Sequence, residues 1–345
     1  MQKIKKEVIK LIPNKRLVSG IKPTGDLTLG NYIGVLKPLL YLQQNLKNFD
    51  FYLFIADLHA LTFYQEPQTL KQQIKKIAAL YLATGLDPEK INLFVQSEVT
   101  QHTYLGYLLE CNSYFSELQR MIQYKEKSKI NAEGIRTSLF TYPTLMAADI
   151  LIYDANLVPI GKDQKQHLEL TKNLATRFNN LYGNTFVVPE PFFNPLGSKI
   201  KSLQNPLKKM SKSDTENPKS YILLLDDPQI IKSKIAQTVT DSQKIIKYDP
   251  ENKPGISNLL TIYASLKQIS IFESEKLFQK SNYKELKNKV GEEIINFVVP
   301  LQQKFYQLIN SAKLDDILNK GAQKASLIAE KKIQQVRKKL GISRF

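Results

Sequence analysis

The sequence predicts an α/β fold in which a parallel sheet with flanking helices is followed by a helical domain. Two observations predict this architecture. Four short apolar runs alternate with amphipathic stretches through roughly the first 200 residues, and the strand signal fades after residue 215. Strands that alternate with helices favour a parallel sheet, because a right-handed crossover through a helix joins each strand to the next.

The predicted strands are short apolar runs bounded by turn-forming residues, at 17–20, 51–56, 91–96 and 157–160. Apolar residues at helical spacing predict helices at 31–46, 69–82 and 163–181. The same spacing predicts four later helices, at 227–239, 258–266, 283–309 and 321–340. Two stretches that contain proline and lysine, 195–217 and 248–255, are predicted loops, so the boundary between the two regions falls near residues 205–220.

Composition narrows the class of protein. Of the 345 residues, 42% are hydrophobic, and no run of 18 apolar residues occurs, so we expect a folded protein that does not span a membrane. The formal charge of +17 favours a polyanionic partner or an anionic membrane surface, although a lysine-rich composition can also reflect genome bias. Residues 1–16 lack the features of a signal or transit peptide, and we interpret them as a basic extension of a cytoplasmic protein.

The cysteine and histidine content argues against a metal centre. The single cysteine, Cys111, excludes a disulfide framework and any cysteine-built zinc or iron–sulfur site, and we expect it to be a small buried side chain. The three histidines, His59, His102 and His167, do not have metal-ligand spacing. We therefore predict no protein-held metal, and we interpret His102 and His167 as surface or helix-packing residues.

Residues 209–213 read Lys-Met-Ser-Lys-Ser and follow another lysine, Lys208. Three cations and two hydroxyls in such a short loop can close over a polyphosphate and neutralise the charge of a leaving group. A solvated basic loop would carry the same charge, but the pentapeptide is identical to the KMSKS motif of class I aminoacyl-tRNA synthetases.

A second motif lies roughly 180 residues earlier, where a predicted strand runs into a glycine-containing loop and a helix that begins near Gly30. Glycine lets the backbone approach a nucleotide, and a helix N-terminus offers free N–H groups. The tetrapeptide from Thr28 to Asn31 resembles the HIGH motif of the same synthetases, with both histidines replaced. Lys22 occupies the position at which the synthetases for tryptophan usually carry glutamine.

Asp149 lies in an otherwise apolar predicted helix, and a buried carboxylate is costly unless a partner satisfies it. A structural ion pair would account for a lone aspartate. The surrounding sequence, YPTLMAADILIYDANLVPIGKDQKQHLEL, closely resembles the specificity segment of bacterial tryptophanyl-tRNA synthetases. The resemblance implies that Asp149 accepts the indole N–H of tryptophan and that other residues line the slot, namely His59, Tyr142, Met146, Val158, Ile160 and Gln164.

Residues 161–164, Gly-Lys-Asp-Gln, follow a predicted strand and precede a helix. In the family this turn binds the ATP ribose, and Asp163 accepts a hydrogen bond from a ribose hydroxyl. The alternative is that Asp163 is the N-cap of the following helix, and the two roles are compatible. The resemblance implies an ATP site made of this turn and the two motifs, comprising Lys22, Pro23, Thr24, Gly30, Asn31, Gly161, Lys162, Asp163, Ile200, Lys209, Met210, Ser211, Lys212 and Ser213.

The resemblance covers nearly the whole chain from residue 17 and implies both an activity and a domain plan. The activity is activation of L-tryptophan with Mg-ATP and its transfer to tRNA(Trp), with Thr28, Asn31, Lys209 and Lys212 as catalytic residues. The plan is a Rossmann-like catalytic domain at 17–215, a helical anticodon-binding domain at 216–325 and a C-terminal helix at 326–345 that packs back on the catalytic domain. The resemblance also implies a homodimer.

Three alternatives stay open on sequence alone. A tyrosine–tRNA ligase shares the architecture, although the Asp149 segment and the short helical C-terminal region argue against it. A nucleic-acid-binding protein that has lost activity would not need an intact Lys209–Ser213 loop. An adenylyltransferase of the same superfamily would not explain an indole-type pocket.

Overall fold

The computed structural model describes residues 15–127, 134–193, 199–212, 214 and 216–344, without the side chains of Lys127 and Lys162. Residues 1–14 of the predicted basic extension, and Ser213 of the lysine-rich loop, therefore lie outside the described residues. Lys15 and Arg16, which we assigned to the extension, are instead the first two residues of a strand.

Five parallel strands form one sheet in the order β3-β2-β1-β4-β5. The strands are β1 (Lys15–Ile21), β2 (Phe49–Ile55), β3 (Ile91–Val95), β4 (Leu157–Pro159) and β5 (Glu190–Phe192). The predicted α/β fold and its four predicted strands are confirmed. The pattern missed β5 because the strand has only three residues and one is Pro191, which has no N–H to donate to a neighbour.

Helices connect the strands and cover the sheet. The first, α1, runs without a break through Leu29–Asn31, a π-helical turn at Tyr32–Leu36, and Lys37–Asn45. The next seven helices are α2 (Asp57–Ala60), α3 (Pro67–Ala83), α4 (Gln101–Glu110), α5 (Phe115–Gln119), α6 (Ile122–Lys127), α7 (Thr137–Leu151) and α8 (Lys165–Tyr182). Two 3-10 turns, Gln96–Glu98 and Lys162–Gln164, follow β3 and β4.

The C-terminal region is helical, as predicted. After a 3-10 turn at Pro218–Ser220 it contains α9 (Pro228–Ala236), α10 (Pro254–Lys267), α11 (Ile271–Phe278), α12 (Tyr283–Ile309) and α13 (Ala312–Leu340). The bounds of α12 agree with the prediction. Helix α13 begins nine residues earlier than predicted, because Gly321 is inside the helix and does not mark its start.

Gly321 lets α13 approach β3 closely. A Cβ at this position would overlap the carbonyl oxygen of Leu93 in β3, so the backbone contact requires glycine. The last helix therefore packs directly on the edge strand of the sheet. No helix in the described part of the chain combines the length and the apolar character needed to cross a bilayer.

Each face of the sheet has its own hydrophobic core, because successive residues of a strand point to opposite sides. Leu17 and Leu53 belong to the first core, which extends into α1, α3, α9, α10 and α12. Val18 and Phe54 belong to the second, which includes α4, α7, α8 and α13. The C-terminal helices thus share both cores with the sheet.

The strand order reverses at β1, which lies between β2 and β4. In open parallel sheets, ligands bind in the crevice beside the carboxyl ends of the strands at such a point. Residues 22–28 leave the carboxyl end of β1 and residues 160–164 leave that of β4. The two loops that we predicted to bind ATP therefore start from neighbouring strands.

Candidate active site

The start of α1 is fixed by a reciprocal pair of hydrogen bonds between Thr28 and Asn31. The Asn31 backbone N–H donates to the Thr28 hydroxyl at 3.2 Å, and the Thr28 backbone N–H donates to Asn31 Oδ1 at 2.9 Å. This capping box satisfies two backbone donors and holds both side chains in place. The Thr28 hydroxyl also donates to Asn31 Oδ1 at 2.9 Å, and Thr28 is 2% exposed.

The lysine-rich loop lies against this helix start. The Met210 N–H donates to the carbonyl of Ile200 at 2.9 Å, and Lys201 pairs with Lys209 in an antiparallel bridge. A Cβ on Gly30 would lie 3.4 Å from Met210 Cβ and 3.7 Å from Ile200 Cβ. A Cβ at position 30 would therefore lie in van der Waals contact with the loop. Two motifs far apart in the sequence are therefore in contact.

Lys212 reaches the loop that follows β1. Its Nζ donates to the carbonyl oxygen of Thr24, and burial lowers the pKa of Lys212 below its ordinary value. Pro23 in the same loop is buried, whereas Lys209 and Ser211 are exposed. The structure therefore brings predicted ATP-site residues from both motifs together.

In the turn after β4, neighbouring residues contact one another. Gln164 Nε2 donates to Asp163 Oδ2 at 2.9 Å. A Cβ on Gly161 would lie 2.6 Å from Asp163 Oδ1, so a larger residue there would displace the carboxylate. Gln164 is the N-cap residue of α8, so Asp163 precedes the cap position and does not occupy it. The backbone of Lys162 lies in this turn, and its side chain is outside the described part of the structure.

Asp149 is the centre of a buried hydrogen-bond network. Its Oδ2 accepts from His59 Nε2 at 2.8 Å, and its Oδ1 lies 2.6 Å from His102 Nδ1. Gln96 Nε2 also donates to Oδ1, at 2.7 Å. Asp149 is 1% exposed, and both His102 and Gln96 are completely buried. The expected partners of a buried carboxylate are therefore present.

These contacts exclude one of the two interpretations that we gave for His102, and they add a residue that the sequence analysis missed. His102 is not a surface residue, because it is buried and bonded to Asp149. Gln96 was not assigned to the site at all. His59 follows β2, and Gln96 and His102 follow β3, so carboxyl ends of adjacent parallel strands bring them together. The sequence shows which residues end strands, but it does not show which strands are neighbours.

The network keeps Asp149 ionised. Burial by itself would raise the pKa of this carboxyl group, because a charge is poorly solvated in the interior. Hydrogen bonds from His102 and His59 outweigh burial and lower the pKa to about 2. The carboxylate can therefore act only as a hydrogen-bond acceptor at neutral pH.

Tyr142 connects this network to the loop after β1. Its ring meets His59 edge-on, with 6.1 Å between ring centroids, and Lys22 Nζ lies 5.6 Å from the Tyr142 centroid. The Tyr142 hydroxyl lies 2.5 Å from His167 Nε2, and burial raises the pKa of Tyr142 above its ordinary value. His167 is 1% exposed, which excludes the surface interpretation and leaves the helix-packing one.

The other residues predicted to contact indole lie in the second core or beside it. Met146 is one helical turn before Asp149 on α7, so both side chains project from the same face of that helix. Val158 is buried in β4, and Ile160, just after β4, packs partly buried against the same core. These positions agree with an apolar slot beside Asp149.

A separate cavity of about 190 Å³ opens beside Tyr142, between α2, α4 and α7. Among the residues predicted to contact indole, only Tyr142 lines it. Within the described ranges, no three His, Cys, Asp or Glu side chains are grouped so that they could hold a metal ion. Cys111 is exposed, so our expectation that it is buried was wrong.

Comparisons with known proteins agree with this geometry. The family model for class I tRNA synthetases (W and Y) matches residues 13–299. The tryptophan–tRNA ligase of Bacillus subtilis is 49% identical over 328 residues, which are 95% of this chain and 98% of the relative. The tryptophan–tRNA ligase of Oceanobacillus iheyensis is also 49% identical, over 96% of this chain and 99% of the relative.

Solved structures give the same result. The tryptophanyl-tRNA synthetase of Mycoplasma pneumoniae has a TM-score of 0.86 and 36% identity, covering 95% of this chain and 98% of that one. The Campylobacter jejuni synthetase, crystallised with ADP and tryptophan, has a TM-score of 0.79 and 32% identity, covering 94% and 99%. The tyrosyl-tRNA synthetase of Archaeoglobus fulgidus, at 18% identity, shares only the fold. The chain therefore belongs to the class I tRNA synthetases, and within them to the tryptophan–tRNA ligase family rather than to the tyrosine enzymes.

Proposed function

We propose that this protein activates L-tryptophan with ATP and transfers it to tRNA(Trp). The observation that carries the proposal is the contact between Gly30 and Met210, because it joins the helix start and the KMSKS loop at the switch point of the sheet. The buried Asp149 network lies at the carboxyl ends of the adjacent strands, β2 and β3. High identity to curated tryptophan–tRNA ligases over nearly the full chain supports the same activity.

The ATP molecule would occupy the crevice between the loops after β1 and β4. Asp163 would accept from a ribose hydroxyl, and the backbone at Ile200 would contact the adenine. The capping box uses the amide oxygen of Asn31, so the Asn31 NH₂ group can donate to a phosphate. Lys209 and Lys212 would neutralise the phosphates, and Mg²⁺ would accompany ATP as part of the substrate.

Tryptophan would bind with its indole N–H on Asp149. Each carboxylate oxygen can accept two hydrogen bonds; in this structure Oδ1 accepts from Gln96 and His102, and Oδ2 accepts from His59. The remaining acceptor position on Oδ2 is the one proposed for indole. Phenylalanine would leave that position unpaired, and an unpaired buried acceptor is costly, so the site would reject it strongly.

The first chemical step needs no protein nucleophile. A tryptophan carboxylate oxygen forms a bond to the α-phosphorus of ATP, the bond from that phosphorus to the bridging oxygen breaks, and pyrophosphate leaves. Positioning of the substrates and stabilisation of the developing charge would supply most of the rate. Lys212 would exchange the Thr24 carbonyl for the leaving pyrophosphate, because a charged acceptor is the stronger partner.

The second step transfers tryptophan to tRNA. The 2′-hydroxyl of the terminal adenosine attacks the carbonyl carbon of the adenylate, AMP leaves, and the hydroxyl proton leaves with it. Helices α9 to α13 would form the anticodon-binding region proposed for 216–325 and the returning helix proposed for 326–345. The formal charge of +17 supports a polyanionic partner of this kind.

A homodimer in the cytoplasm is also part of the proposal. Helices α4 to α6 and the segment between α4 and α5 carry large side chains on the surface, namely Tyr104, Tyr107, Tyr114, Phe115 and Ile122. A concentration of exposed aromatic and apolar groups of this kind is typical of a protein interface, and a second copy of the chain is the proposed occupant.

ATP–pyrophosphate exchange measured with tryptophan, with tyrosine and without an amino acid tests the activity. We expect exchange with tryptophan alone; exchange with tyrosine would overturn the proposal. Because the chain contains no tryptophan, the fluorescence of added tryptophan reports its binding directly. The Asp149→Ala variant should lose tryptophan binding while the KM for ATP stays within a few-fold, and retained indole affinity would refute the pocket assignment.

A further inference from the structure

His102 lies outside the set of residues proposed to touch either substrate. It sits on α4 and is completely buried. Its two ring nitrogens face different groups: Nδ1 lies 2.6 Å from Asp149 Oδ1, and Nε2 lies 2.7 Å from the Tyr153 hydroxyl. A buried histidine that bonds a carboxylate on one side and a phenol on the other has a fixed orientation, and this orientation needs an explanation.

Asp149, His102 and Tyr153 form a chain of hydrogen-bonded groups. The positions of its protons follow from the chemistry of the two end groups, a carboxylate and a phenol. An ionised carboxylate can only accept, so Nδ1 carries the proton that it donates to Asp149. Burial, together with the negative charge of Asp149, raises the pKa of Tyr153 well above its ordinary value. Tyr153 therefore keeps its proton and can donate it to Nε2, which holds His102 in the Nδ1–H tautomer.

Aromatic packing prevents the chain of groups from moving. The His102 ring lies 5.8 Å from the ring of Phe54 and 6.0 Å from that of Phe94, measured between centroids. Tyr153 stacks on Tyr52 at 4.5 Å with an interplanar angle of 15°. Tyr52 and Phe54 belong to β2, Phe94 belongs to β3, and Tyr153 stacks on Tyr52. The sheet therefore fixes the direction of the Nδ1 atom of His102.

The contact with Asp149 controls the rotation of its carboxylate. The last torsion of an aspartate is broad and roughly two-fold, so an unrestrained carboxylate can turn either oxygen towards a ligand. Here His102 and Gln96 both donate to Oδ1 and use its acceptor capacity. Only Oδ2 is left with an acceptor position, and its direction is fixed.

We propose that His102 is a specificity-determining positioning residue, which holds the Asp149 carboxylate so that a single acceptor position faces the indole N–H. The inference rests on the proposed role of Asp149. A carboxylate released from this restraint could rotate and pair with other donors when the ligand has no N–H. The enzyme would then penalise the missing N–H less, although it would still bind an aromatic ring.

The test compares tryptophan with β-(3-benzothienyl)-alanine, in which sulfur replaces the indole N–H at nearly constant shape. We measure kcat/KM in ATP–pyrophosphate exchange for both amino acids, in the unmodified protein and in three variants. His102→Leu removes the donor, and His102→Asn keeps an N–H near the position of Nδ1. Tyr153→Phe removes only the hydroxyl, so it disturbs the packing least.

We expect the unmodified protein to prefer tryptophan by on the order of 10²-fold or more. The preference should fall by roughly 10-fold or more in His102→Leu, recover in His102→Asn, and be intermediate in Tyr153→Phe, with the KM for ATP unchanged. If His102→Leu and Tyr153→Phe lower both amino acids by the same factor, His102 has only a structural role and the inference fails. If the unmodified protein shows no preference, the role of Asp149 fails as well, so the two failures can be told apart.

Discussion

Gly30 and Met210 are in contact, although 179 residues separate them in the sequence: a Cβ on Gly30 would lie 3.4 Å from Met210 Cβ. Met210 is 3% exposed, so its side chain is packed inside the protein, whereas Lys209 and Ser211 on either side are exposed. The contact lies beside the loops between which we propose that ATP binds.

A larger residue at position 30 should separate the loop from the helix. In Gly30→Val the branched methyl groups would meet Met210, Ile200 and the Thr28 hydroxyl, so the loop must shift. We expect kcat/KM for ATP to fall by roughly 10²-fold, as for a misplacement of about 1 Å. Gly34→Val is the matched control, since no atom lies within 4 Å of a Cβ there. Equal effects of the two substitutions would contradict the prediction.

Removal of the Lys212 ammonium group should slow adenylate formation. We expect Lys212→Ala to lower the rate of the first step by roughly 10²–10³-fold, because a preorganised charge on the leaving pyrophosphate is lost. Tryptophan binding, followed by the fluorescence of the amino acid, should stay unchanged. Lys219→Ala, an exposed lysine a few residues away, is the control. A decrease of less than ten-fold would exclude Lys212 from the chemistry.

The two chemical steps should differ in their response to salt. Raising the salt concentration from about 50 to 200 mM should lower kcat/KM for tRNA by at least roughly 10²-fold, because the cations that neutralise phosphates compete with counterions. ATP–pyrophosphate exchange should change far less, since its substrates are small and partly enclosed. The two assays are run on one preparation across a salt series. Parallel curves would show that the positive charge of the protein has no role in tRNA binding.

The Asp149 network should make stability depend on pH in acid. The pKa of Asp149 is lowered to about 2 in the folded protein, below its ordinary value of 3.8, so the unfolded state takes up the proton first. The stabilisation is complete above about pH 5 and is lost as the pH falls through 3.8 towards about 2; it is worth on the order of 2 kcal/mol. Urea denaturation of the unmodified protein and of Asp149→Asn should show a stability difference that is constant from pH 8 to 5 and changes below pH 4. A difference independent of pH would contradict this.

Gly321 should be required for the packing of α13 on β3. Gly321→Ala should destabilise the protein by about 1–3 kcal/mol, because the new methyl group overlaps the Leu93 carbonyl. Gly291→Ala, also inside a long helix, would meet only Ile235 at 3.8 Å and should be neutral or stabilising by up to about 1 kcal/mol. Urea unfolding of the two variants measures the difference. Similar values would mean that α13 can shift without cost.

Local patterns were enough for much of the fold. Short apolar runs identified four of the five strands, and helical spacing gave the bounds of α12, because both signals come from residues close together in the chain. Such patterns did not reveal β5, which has only three residues, and they misplaced the start of α13. Gly321 looked like a helix boundary because its packing partner, Leu93, is far away in the sequence.

The candidate site was only partly predictable. Resemblance located Asp149, and elementary electrostatics required that it have partners, but nothing in the sequence showed which ones. His102 and Gln96 follow β3 and contact Asp149 on α7, and α4, which carries His102, packs against α7.

The amino-acid sequence by itself determined the fold class, the position of the nucleotide-binding motifs and the identity of the charged groups, since these depend on residues close together in the chain. Only the tertiary structure decided that Met210 rests on Gly30, that Lys212 bonds Thr24, and that Asp149 is held from both sides. The physical reason is that a contact between distant segments depends on strand order and on the packing of both cores. Neither is recorded in any local pattern.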